Sequence, residues 1–195
     1  MNRTPLFLIS FSIFAAFSAV GTAVAGTVAD KATEIEAMIA ADDFAGAGTA
    51  AADLYQTVWD TAPSISFRQV VLVAEPASGF GVYNPRPNEK YKVGEPVIIY
   101  AEPYGYGYGA PGDGLYSIGF VVDLKVMNEA GEVLGEIPNL TALELQSRAQ
   151  NHEFQANLTY TLDGITPGKY VLQTTLRDKN SDKTGTFDTP IEIIE

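Results

Sequence analysis

The sequence predicts a mainly β protein, an antiparallel two-sheet β-sandwich with a short N-terminal helical arm. Three observations carry this. Phe154, Ala156, Leu158, Tyr160 and Leu162 alternate with polar neighbours, a period of two that turns one face of a strand to a core. Ile118, Phe120, Val122, Leu124 and Val126 repeat the pattern over Tyr116 to Met127. Between such runs lie turn-forming clusters such as Asp163-Gly164, Thr166-Pro167-Gly168 and Asn128-Glu129-Ala130-Gly131.

The first 25 residues read as an export signal. Arg3 is the only charge before Asp30, Leu6 to Val20 is apolar or small, and Ala23-Val24-Ala25 has the small-x-small pattern of a cleavage site. An uncleaved anchor is the competing reading, because the uncharged stretch from Thr4 to Ala29 is long enough to span a bilayer. Gly21, Thr22, Ala23, Gly26 and Thr27 make its second half a poor span, so no stable membrane anchor is expected after cleavage. The chain has no cysteine. That excludes thiol chemistry and thiolate metal sites, and an exported domain without disulfides suits a bacterial periplasm or secreted location. Arg3 is one of 12 basic residues against 24 acidic, so cleavage after Ala25 leaves a net charge of −13. Nucleic acid is excluded as a partner by this field.

Residues 26–63 form the expected arm. Thr33-x-x-Glu36 suggests a capping box, Gly46 and Gly48 an interruption, and Thr49 to Asp60 a second helix. Its apolar stripe includes Leu54, Tyr55, Val58 and Trp59, either packing on the domain or presenting Tyr55 and Trp59 to a partner.

The β domain is assigned to residues 64–195. Ile65 to Val73 and Val97 to Ala101 read as strands, separated by a Pro/Gly-rich stretch that contains Arg86. Val133-Leu134, stopped by Ile137-Pro138-Asn139, and Ala142 to Leu145 read as two short strands, and three antiparallel strands close the chain. Eight or nine strands at this spacing suit a sandwich.

The run Leu162-Asp163-Gly164-Ile165-Thr166-Pro167-Gly168-Lys169-Tyr170-Val171-Leu172 resembles the entry to a late strand in bacterial immunoglobulin-like domains. The resemblance covers about the last 45 residues, Asn151 to Glu195. It implies an immunoglobulin-like antiparallel sandwich in which Tyr170 is a corner tyrosine bonded back to nearby backbone. It transfers no active site.

Catalytic and metal signatures are weak. His152 is the only histidine and reads as an edge or surface residue; no Gly-x-Ser-x-Gly element accompanies it. Glu95 and Glu102 flank a short strand and are as natural at solvated strand ends as in a hydrolase. Asp178 to Gly185 alternates oxygen-bearing side chains but fails the calcium-loop pattern and carries Lys179 and Lys183. No cofactor is expected.

Glu102 to Gly114 is the unusual stretch, with Tyr104, Tyr106 and Tyr108 separated by single glycines. Glycine holds strands poorly, which suggests an exposed, mobile loop, and tyrosine with glycine is the mixture that binding loops use. The expectation is a non-catalytic binding or assembly module of the bacterial envelope. Its contact surface would be Tyr104, Tyr106, Tyr108 and Arg86, with Tyr55 and Trp59 as a second interface. The partner would be another envelope protein or a second copy. Carbohydrate binding and a purely structural envelope role are the alternatives, since tyrosine faces can stack on sugar rings.

Overall fold

The computed structural model describes residues 20–195. The expected export signal, residues 1–25, lies outside them except for Val20 to Ala25, which begin the first helix. The chain divides into two compact units, residues 1–55 and Gln56–Glu195. The division falls inside a helix.

Two helices, α1 (Val20–Ala40) and α2 (Phe44–Asp60), precede the strands. Thr33 is not a cap. It lies within α1, where its hydroxyl donates to the Ala29 carbonyl at 3.0 Å. The chain reverses at Asp42 (φ 57°), and Asp43 caps α2 by accepting from the Gly46 N–H at 3.0 Å. Gly46 and Gly48 are therefore inside α2 instead of interrupting the arm. No helix among the described residues is long and apolar enough to cross a membrane.

Nine strands follow: β1 (Ser66–Leu72), β2 (Lys90–Lys92), β3 (Val97–Tyr104), β4 (Gly109–Gly112), β5 (Leu115–Asn128), β6 (Val133–Ser147), β7 (Ala156–Tyr160), β8 (Gly168–Asp178) and β9 (Thr184–Ile194). The mainly β, immunoglobulin-like sandwich read from the sequence is what forms. A three-stranded sheet has the order β1-β3-β7, and a six-stranded sheet the order β2-β9-β8-β5-β4 with β6 on the other edge of β5. All pairs are antiparallel except β2 with β9, which run parallel.

The core lies between the sheets. Val97, Ile99, Ala101, Leu158 and Tyr160 from the small sheet face Phe120, Val122, Leu124, Leu172, Leu176 and Ile191 from the large one; all are buried. Each such side chain contributes about 1.5–3 kcal/mol, which lets the domain do without disulfides. One polar contact crosses the layer, between the hydroxyls of Tyr160 and Thr174 at 2.9 Å. The outer face of the small sheet is covered by the β1–β2 connection, where Val73 and Ala77 pack with Tyr100.

The closing strands correct one expectation. β7 pairs with β3, and only β8 and β9 form a hairpin. The Asp163–Pro167 connection thus crosses between sheets, and Tyr170 sits at that corner, its hydroxyl donating to the Thr166 carbonyl at 2.8 Å. One side of the sandwich is shut where the start of β1 meets β9: the Ile65 N–H donates to Thr184 at 3.0 Å. The opposite side has β7 on one sheet edge and β6 on the other.

Candidate functional site

The tyrosines expected on a mobile loop are built into the domain. Tyr104 ends β3 and pairs with Ser66, while Gly109 begins β4 and pairs with Ser117. Tyr106 is 1% exposed, and Tyr104 and Tyr108 are half-buried. Their organiser is Trp59, in the last turn of α2 and within the sheet-bearing unit, which is 0% exposed. Its indole N–H donates to the Tyr106 carbonyl at 2.7 Å. Its ring lies 4.4 Å from Tyr104 and 4.8 Å from Tyr106, both edge-on, and 6.4 Å from Tyr108. Aromatic rings at these separations attract through their quadrupoles beyond simple burial.

His152, read from the sequence as an ordinary edge or surface residue, completes the cluster. It is half-buried, 4.6 Å from the Trp59 ring, with Nε2 2.8 Å from Gln56 Oε1. Burial is the main cause that lowers its pKa below the ordinary 6.5, and the nearby Arg68 cation lowers it further. The hydroxyls of Tyr106 and Tyr108 both donate to the Asn151 carbonyl, at 2.8 and 2.9 Å.

The β8–β9 turn holds the segment from its other side. Asp178 accepts from the Gly107 N–H at 2.6 Å, from the Ser181 hydroxyl at 2.5 Å and from the Asn180 N–H at 2.9 Å. Lys183 donates to the Gly105 carbonyl at 2.8 Å. The glycines are there for close approach. Gly105 has φ +83°, and a Cβ on it would meet the Ala62 Cβ at 2.6 Å; one on Gly109 would meet Asn180 Oδ1 at 2.5 Å. Tight backbone contact, not mobility, explains the alternation of Tyr with Gly.

Arg86 stands apart from this cluster. It accompanies the β1–β2 connection, pairing with Glu95 at 2.8 Å, donating to the Lys90 carbonyl at 2.6 Å and lying 4.0 Å over the Tyr91 ring. The cation over Tyr104 is Arg68, at 5.0 Å. Tyr55 is half-buried on α2. Glu102 is buried and accepts from the Tyr100 hydroxyl at 2.6 Å, so Glu95 and Glu102 belong to different networks.

What the domain does present is β6. Direct partners across a ladder point the same way. Ile137 pairs with Leu124, and Leu143 and Leu145 pair with Phe120 and Ile118, all three of which are buried inward. Yet Ile137 is 47% exposed and Leu143 and Leu145 are half-buried. A sheet of six strands overhangs a sheet of three, so no strand of the small sheet lies over this row. Val133, Leu134 and Leu140 are also exposed. An open groove of about 410 Å³ separates Leu134 and Ile137 from Leu162, Ile165 and Tyr170 of the β7–β8 corner. Further along, a second opening of about 440 Å³ lies among Leu143, Leu145, Phe154 and Phe80.

No family model and no curated protein matches the chain. Among solved structures it is similar to the CARDB domain of the PF1109 protein from Pyrococcus furiosus, crystallised with di-metal ions. Identity is 11% and the TM-score 0.26, over 69% of this chain and 95% of that one. Nothing about this chain's chemistry follows from that likeness. Among the described residues no group of three or more His, Asp or Glu side chains is placed to hold a metal.

The β6 overhang was missed in the sequence because Pro138 and Asn139 read as the end of a strand. Its signal was present: Val133, Leu134, Ile137 and Leu140 are apolar, and no turn cluster other than Pro138-Asn139 divides them from Leu143 and Leu145.

Proposed function

We propose that this protein is a non-catalytic binding or assembly module of the bacterial cell envelope, exported by its N-terminal signal. Its contact surface is the overhanging inner face of β6. The observation that carries this is Ile137, which points toward the interior of the sandwich and is still 47% exposed. With Leu134, which lines the same open groove, it makes an exposed apolar patch, and such patches on stable domains mark interaction surfaces. In this reading the Trp59 cluster is the internal support of the module. Export is supported by Arg3, the apolar run and Ala23-Val24-Ala25.

The test compares proteins captured from envelope extract by the wild type and by Ile137→Glu and Leu134→Glu variants. Both side chains are exposed, so the variants keep the wild-type melting temperature while specific captured proteins disappear. An identical capture profile refutes the assignment of β6. N-terminal sequencing of the exported protein tests the signal, with Gly26 expected as the first residue.

A further inference from the structure

We infer that the opening between β6 and β7 takes up one extended peptide strand from a partner protein, a strand with alternating apolar residues and lysine or arginine between or beside them. The inference rests on the reading of β6 as a contact surface and specifies what covers it.

The first ground is the ladder. β7 forms a backbone ladder with β3 alone, so its second edge has no strand partner among the described residues. A strand added there would extend the three-stranded sheet to four and lie over the uncovered row of β6. Backbone pairing then supplies affinity and alternate side chains supply specificity. The outer edge of β6 is a poorer acceptor. Pro138 has no N–H to offer, and with Asn139 (φ 54°) it lies at a break in the β5–β6 register that distorts the strand. β7, Ala156–Tyr160, contains no proline.

The second ground is charge. The two openings along the seam are lined by three carboxylates, Asp163, Glu144 and Glu153, and by no lysine or arginine. Glu144 is engaged by Lys179, whereas Asp163 and Glu153 are in no ion pair among the described residues. A cationic strand is therefore favoured. A second copy of this chain, with a net charge of −12, is opposed by the same field.

The test pans the full chain against a displayed library of random peptides about 12 residues long, enough for one strand of ordinary length. Sequences with alternating apolar residues and Lys or Arg are expected to enrich at least about tenfold over panning on Ile137→Glu, a difference ordinary for a lost apolar anchor. Hydrogen exchange of the protein with an enriched synthetic peptide is then expected to slow amides within 156–160. A double variant, Asp163→Lys with Glu153→Lys, alters only exposed side chains and should lose the preference for basic peptides. No enrichment over Ile137→Glu, enrichment without alternation or basic residues, or slowed exchange along 133–147 with 156–160 unchanged would each overturn the inference. Envelope proteins still captured through Ile137 in that event would leave β6 as a contact surface for a folded partner, so the two failures are told apart.

Discussion

Replacing Trp59 tests the claim that one side chain from the helical arm sets the tyrosine segment. Trp59 is fully buried, and its indole donates to the Tyr106 carbonyl at 2.7 Å while three aromatic side chains lie within 5 Å of it. Truncating a buried tryptophan to alanine costs about 3–5 kcal/mol through lost transfer energy and the cavity left behind. For a domain of this size each kcal/mol lowers the melting temperature by roughly 2–4 °C, so Trp59→Ala should melt roughly 6–20 °C below wild type. Trp59→Phe retains most of the ring but removes the donor, and should cost about 1–3 kcal/mol. Far-UV circular dichroism on heating suits both variants. Trp59 is the only tryptophan, so wild-type fluorescence reports this site directly and should be blue-shifted and resistant to acrylamide. A Trp59→Ala protein within about 1 kcal/mol of wild type in denaturant titration would refute the packing argument. Solvent-like emission from the native wild type would do so independently.

Gly109→Ala should destabilise by about 1–3 kcal/mol, because the added Cβ must push Asn180 and Ser117 aside; an unchanged denaturation midpoint would restore the mobile-loop view. Since the folded pKa of His152 is depressed, its stabilising contribution is complete above its ordinary 6.5 and is lost as pH falls through the folded value. Thermal melts from pH 7.5 down to pH 5 should fall more steeply for wild type than for His152→Gln, and parallel curves would count against the buried neutral imidazole. The hydroxyl of Tyr91 is buried without a hydrogen-bond partner among the described residues, so Tyr91→Phe should be neutral or stabilising by up to about 1 kcal/mol, and a marked loss in a urea titration would contradict this. Asp123, whose pKa is lowered chiefly by its hydrogen bond from Arg177, should add acid sensitivity below its ordinary 3.8 that Asp123→Asn lacks.

Strong alternation was legible wherever both neighbours of a strand obeyed it. The run Ile118 to Val126 became β5, and Tyr170 took the corner position that its Pro-Gly-x-Tyr setting implied. Glycine was ambiguous, because the property that frees a loop also lets a backbone pass close to another, and Gly105 and Gly109 use the second. Proline misled in β6: a bulge absorbs Pro138 and Asn139, whose side chain is held by Arg177 at 2.5 Å, and the strand continues to Ser147. His152 could not have been paired with Gln56 from the sequence, since they lie 96 positions apart and no local pattern links them. Sheet width was equally invisible. Whether Ile137 is covered depends on which sheet β7 joins, which is decided by the crossing at Asp163–Pro167 and not by the strand's own residues.

The distribution of order follows from the same topology. On one side the sandwich is shut by β1 against β9, and the Trp59, Tyr106 and Asp178 contacts fasten the segment before β4. Those contacts are buried, aromatic or charge-assisted, and few of them can be lost without unfolding the neighbourhood. Among the described residues the β6–β7 side has neither a ladder nor a buried polar clasp across it. On the proposed reading the binding surface gains from this asymmetry, because the fixed side would hold the acceptor strands in register while the open side keeps apolar side chains available. Substitutions at Trp59 should therefore weaken folding, whereas substitutions at Ile137 should weaken association and leave the melting temperature alone. That separation of effects is what distinguishes a binding face from a merely imperfect core.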